Sequence, residues 1–144
     1  MTTLKELAAM LDAATGITPE LWAHVSCALL APTDSKVEQS PFNGAWVVYE
    51  PQSYGNSPFR CWEKEPRDIR SFRDARAWAD AALALVERLL PVSWVRIERL
   101  TLTRWQVRFE GGETVHWANA PTAPLAILKA LVAALIAQEK NDEA

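Results

Sequence analysis

The chain has 144 residues, with 15 basic and 18 acidic side chains that give a formal net charge of −3. This length fits one domain, and a content of 49% hydrophobic and 23% charged residues is typical of an ordinary globular protein. A pI near 5.4 argues against a generically basic nucleic-acid-binding protein, although it is compatible with a local basic face. Two cysteines are too few for a disulfide framework, which favours a reducing cytoplasm as the compartment.

The first 31 residues predict a helical hairpin. Apolar residues recur at helical spacing over residues 4–11, and Gly16 follows closely enough to end this first helix. Thr18 then offers an N-cap, and Pro19 occupies the first helical position of a second helix.

Residues 32–67 form a segment of different character. They contain five prolines and two glycines, which exclude long elements. A strand is expected at residues 45–49, and a weaker one at residues 59–62.

Residues 68–139 predict the order helix, strand, strand, strand, helix. The first helix is expected at residues 72–90, and Thr122 is the N-cap of the last. The strands are expected at residues 94–99, 104–110 and 114–118. The whole chain is therefore predicted as a single α+β domain in which helices pack on a mostly antiparallel sheet.

Neither end of the chain carries a targeting or membrane signal. Lys5 and Glu6 interrupt the N-terminal stretch in which a signal peptide needs its apolar run. The apolar segment 124–137 is interrupted by Lys129 and is shorter than the roughly 20 residues of a membrane span. That segment is expected to be a buried helix, and no membrane partner is predicted.

The loop between the last two predicted strands decides which side chains share a face. A two-residue loop at residues 111–112 would place core side chains of one strand opposite solvent-facing side chains of the other, on the same face of the sheet. A three-residue loop at residues 111–113 instead places Phe109 opposite Val115 and directs Trp117 toward the core, and this is the register that we predict.

Under this register, the polar face of the sheet is the candidate site, because Trp94, Arg108 and His116 form one row across three strands. Guanidinium groups bind phosphate or carboxylate, and a neighbouring aromatic ring stacks on a base or holds a cation. The alternative is an ordinary half-exposed sheet whose arginines pair with Glu98 and Glu110, or an internal network if the N-terminal hairpin covers this face. The predicted binding residues are Trp94, Arg96, Arg104, Arg108 and His116.

A second basic pattern lies at the start of the long predicted helix. Arginines recur there at every third position, which is compatible with a stripe that faces an acidic partner. A solvated helix face is the favoured interpretation, because Asp68 and Asp74 partly neutralise the stripe. The arginines are Arg67, Arg70, Arg73 and Arg76.

Catalytic and metal-binding patterns are weak. His24 and Cys27 lie on one helix face at a spacing that could share a metal ion, but no further ligand lies nearby in sequence, so Cys27 is expected in the core. Gly111 and Gly112 join two strands rather than a strand and a helix, unlike a phosphate-binding loop. We therefore predict no enzyme, no cofactor and no metal.

Four segments carry a resemblance to a known family: residues 12–16 (DAATG), 81–86 (AALALV), 120–126 (APTAPLA) and 46–51 (WVVYEP). They resemble the phage ABA sandwich domain family, whose members are small proteins encoded in phages and prophages. Glu50 stands where an aspartate is more usual, and residues 52–67 depart from the pattern. The resemblance implies an α/β sandwich and a phage origin, and it implies no reaction.

The expected function is non-catalytic binding by a small phage or prophage accessory protein in the cytoplasm of a bacterial host. An inhibitor of a host defence system, of the anti-CRISPR or nucleotide-sponge type, fits the family resemblance and the basic, aromatic face. The expected partner is a host or phage protein, and a small nucleotide or a second copy of the chain are the other options. The alternatives are a nucleic-acid-binding module, disfavoured because the last helix opens with a single lysine, and a structural, self-associating phage component.

Overall fold

The computed structural model describes residues 2–90, 94–111 and 114–143. Helices and strands within these residues confirm the α+β class and the order helix, three strands, helix in the C-terminal half. The helices are α1 (Leu4–Ala13), α2 (Pro19–Leu29), α3 (Arg67–Asp74), α4 (Trp78–Leu89) and α5 (Ala123–Glu143). The strands are β1 (Lys36–Gln39), β2 (Trp46–Pro51), β3 (Phe59–Cys61), β4 (Trp94–Thr101), β5 (Arg104–Gly111) and β6 (Thr114–Ala120).

Threonine side chains cap three of the helices, and two of these caps were predicted from the sequence. At α2, the Leu21 N–H donates to Thr18 Oγ1 at 3.1 Å, and Pro19 opens the helix. At α5, the Leu125 N–H donates to Thr122 Oγ1 at 3.4 Å. Each threonine satisfies a backbone donor that has no partner within the helix, so both predicted N-caps are confirmed.

The single helix predicted for residues 72–90 is wrong, because the chain breaks into α3 and α4 there. Arg76 adopts the left-handed region, with a φ of 59°. The Ala77 N–H donates to the Phe72 carbonyl at 2.8 Å, and the Arg76 N–H donates to the Arg73 carbonyl at 3.0 Å. These two bonds form a Schellman motif, which usually has glycine where Arg76 stands, so the break could not be predicted from the residue types.

The strands form two antiparallel sheets rather than one. Sheet A has the order β1–β2–β3, and sheet B has the order β4–β5–β6. Helix α2 packs on sheet A, whereas α5 packs on β5 and β6 of sheet B. Strand β1 is an addition, since the sequence analysis predicted no strand at its position.

Helix α5 is central to the core. Its first turns are buried on every side: Leu125, Ala126, Ile127 and Leu128 expose no surface. The helix contacts α1 and α4 as well as sheet B, so it joins the two helices to the sheet. Among the helices in the described ranges, none combines the length and the apolar character needed to cross a membrane.

The two cysteines lie in different surroundings. Cys27 is buried in a small cluster between α2 and sheet A, together with Ala23 and Val48. This burial raises the pKa of the Cys27 thiol above its ordinary value. Cys61, in the edge strand β3, is exposed.

We therefore expect selective alkylation of the folded protein at about pH 8. Iodoacetamide should modify Cys61 and leave Cys27 unmodified, because Cys27 is buried and its raised pKa leaves less of it as the reactive thiolate. Peptide mass spectrometry measures both sites, and the protein unfolded in urea is the control in which both should react. Equal alkylation of the two cysteines in the folded protein would contradict the burial of Cys27.

Candidate functional site

The pairing of β4 with β5 sorts the predicted site residues by face. Val95 pairs with Phe109, and Arg96 pairs with Arg108. Phe109 is buried in the main core, whereas Arg108 is exposed. Since side chains alternate along a strand, Trp94 and Arg96 share the solvent side with Arg108, as the sequence analysis predicted.

The predicted pairing of β5 with β6 is wrong by one residue. Gly111 pairs with Thr114, so His116 lies opposite Phe109 and Trp117 lies opposite Arg108. A shift of one residue turns every side chain of a strand to the other face. His116 is therefore half-buried on the side that α5 covers, and the predicted row of Trp94, Arg108 and His116 does not form.

The size of the side chains explains this register. Ala118 and Ala120 occupy the side of β6 that packs on α5. Their small side chains let the helix approach the strand closely, whereas the predicted register would put Trp117 there. Trp117 is excluded from the core and lies on the solvent side of the sheet.

The solvent side of sheet B, which we call the outer face, is rich in tryptophan and arginine. Three of its apolar side chains are unusually exposed, at 42% for Trp94, 45% for Val115 and 59% for Trp117. The N-terminal hairpin does not cover it, since α2 packs on sheet A. The outer face comprises Trp94, Arg96, Glu98, Gln106, Arg108, Glu110, Val115 and Trp117.

Charges on the outer face are balanced within each strand. Arg96 Nη2 lies 3.5 Å from Glu98 Oε1, and Arg108 Nε lies 3.2 Å from Glu110 Oε1. The two arginines are direct cross-strand neighbours, an arrangement that repels unless each charge has a counter-ion. Arg104 pairs with Thr101 at the opposite end of β5, so it does not join this arginine pair.

A shallow depression of about 370 Å³ lies in the outer face between β5 and β6. Gln106, Arg108, Val115 and Trp117 line it. The residues that line it provide an apolar wall, an amide and a guanidinium group, which suit recognition of a side chain. Because His116 faces the helices, the depression has no imidazole for proton transfer.

The sequence analysis missed Val115 and Trp117 as members of this surface. Their alternation with His116 and Ala118 was visible, but apolar residues were assigned to the core by default. The only signal in the sequence that Ala118 and Ala120 face the core, and Val115 and Trp117 the solvent, is the small size of the two alanines.

His24 and Cys27 do not form part of a larger ligand group. His24 Nδ1 lies 3.2 Å from Thr2 Oγ1, and Cys27 lies in the cluster under sheet A. Within residues 2–90, 94–111 and 114–143, no three His, Cys, Asp or Glu side chains come together as metal ligands would.

Comparisons with known proteins identify no relative of this chain. No protein family matches the chain, and no curated protein or solved structure matches it either. The resemblance to the phage ABA sandwich domain family therefore stays a prediction that depends on the four segments quoted above.

Proposed function

We propose that this protein acts by non-catalytic binding and that the outer face of sheet B docks another protein. The observation that carries the proposal is the exposure of Trp94, Val115 and Trp117 on one uncovered face beside two arginines. Tryptophan and arginine are the residues most enriched among those that dominate the free energy of protein–protein binding. An exposed apolar patch with a polar rim is also typical of an interaction surface.

The charge of the outer face favours a protein partner over a nucleic acid. Each of its two arginines lies beside a glutamate of the same strand, as described above. Binding to a phosphate backbone depends on positive charges that replace counter-ions, and this face has no excess of them. The proposed complex should accordingly depend weakly on salt concentration.

The biological context that we propose is a phage or prophage accessory protein in the bacterial cytoplasm, with a host defence system as its target. Its support is the sequence resemblance described above, together with a surface suited to binding and no catalytic pattern in the sequence. A self-associating phage component is the competing role, and the same surface serves to test it.

The experiment is an affinity capture with the tagged protein from bacterial host lysate, with and without nuclease. Three forms are compared: the wild type, a double variant with Trp94→Ala and Trp117→Ala, and the control Leu102→Ala. Leu102 is 83% exposed between β4 and β5, outside the outer face, so this control removes exposed apolar surface elsewhere. Circular dichroism confirms that all three are folded.

We expect the wild type and Leu102→Ala to capture the same protein in the presence of nuclease, and the double variant to lose it. Each removed tryptophan should weaken binding by about 2 kcal/mol, or roughly thirtyfold. Capture that disappears with nuclease, or that the double variant retains, contradicts the proposal. Capture of an untagged copy of the same chain alone would assign the face to self-association instead.

A further inference from the structure

A second candidate site lies in a groove of about 860 Å³ on the other sheet. Helices α2 and α3 and strand β2 form its walls, and no residue of sheet B contributes. Its volume falls in the range of small-molecule sites, roughly 300–1,000 Å³. We call it the sheet A groove, and its tryptophans and arginines are Trp22, Trp46, Trp62, Arg70, Arg73 and Arg76.

The groove explains most of the arginine stripe seen in the sequence. Arg70, Arg73 and Arg76 line it, whereas Arg67 does not. A solvated helix face, the favoured interpretation of the stripe, holds for Arg67, Arg70 and Arg76, which are exposed, whereas Arg73 is half-buried against Glu65. Arg76 lies in the break between the two helices, because α3 ends at Asp74 and α4 begins at Trp78.

Two of these arginines have no carboxylate partner within the described part of the chain. Arg70 Nη2 donates to the Glu63 carbonyl at 2.8 Å and to the Glu65 carbonyl at 3.3 Å, so backbone hydrogen bonds rather than an ion pair hold its guanidinium group in place. The Arg76 guanidinium lies 5.8 Å from the centre of the Trp78 ring. A fixed guanidinium group of this kind suits the oxygen atoms of a phosphate.

The third arginine belongs to a buried polar network at the floor of the groove. The Ser26 hydroxyl donates to Glu65 Oε2 at 2.8 Å, and Arg73 Nη1 lies 3.1 Å from Glu65 Oε1. Arg73 also contacts Asp74 Oδ1 at 3.1 Å. Glu65 and Asp74 thus compensate Arg73, the third acid of the lining, Glu63, is exposed, and neither Arg70 nor Arg76 forms an ion pair within the described residues.

Aromatic rings provide the rest of the lining. Trp46 and Trp62 are half-buried, so each offers part of a ring surface on which a planar group can stack. Trp22 is 1% exposed, and its Nε1–H has no acceptor among the described residues. A buried donor without an acceptor is unfavourable, which makes this indole N–H a sensitive reporter of changes at the groove.

The backbone conformation of Arg76 determines where its side chain lies. Its φ of 59° is unfavourable for a residue other than glycine. The Schellman motif that ends α3 imposes this conformation, and it places the Arg76 side chain at the edge of the groove.

We propose that the sheet A groove binds a nucleotide, with its base stacked on the tryptophans and its phosphate held by Arg70 and Arg76. The groove and the outer face of sheet B share no residue, so this binding is independent of the docking function proposed above.

The test is a nuclear magnetic resonance titration of the ¹⁵N-labelled full chain with AMP, GMP, CMP and UMP, each up to about 5 mM, a range that detects even weak binding. The indole N–H signals of Trp22 and Trp62 report on the groove. Adenosine and the other nucleosides serve as controls for the phosphate. Two variants are compared with the wild type, Arg76→Gly in the groove and Arg67→Ala on the same segment but outside it.

We expect saturable shifts of both indole signals with at least one nucleotide. Arg76→Gly should raise the dissociation constant about tenfold or more, and the matching nucleoside should bind weaker by a similar factor. Arg67→Ala should stay within about twofold. Because glycine favours a positive φ, Arg76→Gly should also raise the melting temperature, so that lost binding cannot be attributed to unfolding.

Three results would overturn the proposal. These are no saturable shift with any of the four nucleotides, equal binding of nucleoside and nucleotide, or unchanged affinity in Arg76→Gly.

Discussion

Replacing Phe109 with alanine is expected to lower the free energy of unfolding by about 3–5 kcal/mol. Phe109 is 1% exposed in the middle strand of sheet B, within the core cluster to which α5 contributes. Alanine there removes the apolar contacts and leaves a cavity that a β-strand cannot close. Since a domain of this size is stable by roughly 5–15 kcal/mol, the variant should lose a large part of its stability. Urea unfolding followed by circular dichroism measures the change.

Trp117→Ala is the matched control, because it removes a larger ring from the neighbouring strand. Trp117 lies opposite Arg108 on the outer face, so we expect a change of at most about 1 kcal/mol. The register predicted from the sequence removes this difference, because it buries Trp117 on the same side as Phe109 and makes its removal as costly. An effect of Trp117→Ala as large as that of Phe109→Ala would therefore contradict the pairing in the structure.

This comparison shows how much of sheet B could be predicted from the sequence. The alternation of Val95 with Trp94 and of Phe109 with Arg108 set the faces of β4 and β5, because apolar and polar residues alternate cleanly there. In β6, Val115 and Trp117 alternate with His116 and Ala118. Because Val115 and Trp117 are the more hydrophobic pair, a prediction from hydrophobicity assigns them to the core, whereas they lie on the solvent side. The register depends on the space between β6 and α5, which is a property of the tertiary structure and cannot be predicted from the pattern of one strand.

The sheet A groove could not be predicted for a related reason. Its residues come from three separate parts of the chain, and Ser26 and Glu65 are 39 positions apart. The Schellman motif that ends α3 has arginine in the place of glycine, so the usual sequence signal for a helix end was missing. The regular spacing of the arginines was the one feature of the groove that was visible in the sequence. It could not be assigned to a groove, because the sequence does not show which other residues lie beside the arginines.

The second large effect on stability is expected at Glu65, which joins α2 to α3. Its side chain is 5% exposed, accepts a hydrogen bond from the buried Ser26 hydroxyl and contacts Arg73. Glu65→Ala leaves the Ser26 hydroxyl without its acceptor and Arg73 without its buried counter-ion. We expect the free energy of unfolding to fall by about 2–3 kcal/mol, less than for a fully buried pair because Arg73 is 38% exposed and can turn to water.

Glu63→Ala is the control for charge alone, since Glu63 is exposed and its carboxylate has no cation partner within the described residues. It should change stability by no more than about 0.5 kcal/mol in urea unfolding. Glu65→Gln keeps an acceptor for Ser26 and should fall between the two. In a double-mutant cycle, Ser26→Ala and Glu65→Ala should be less than additive, because they remove the same hydrogen bond. Full additivity, or equal effects of Glu63→Ala and Glu65→Ala, would contradict the network of Ser26, Glu65 and Arg73. Arg73 would then have no buried partner to fix its position at the floor of the groove.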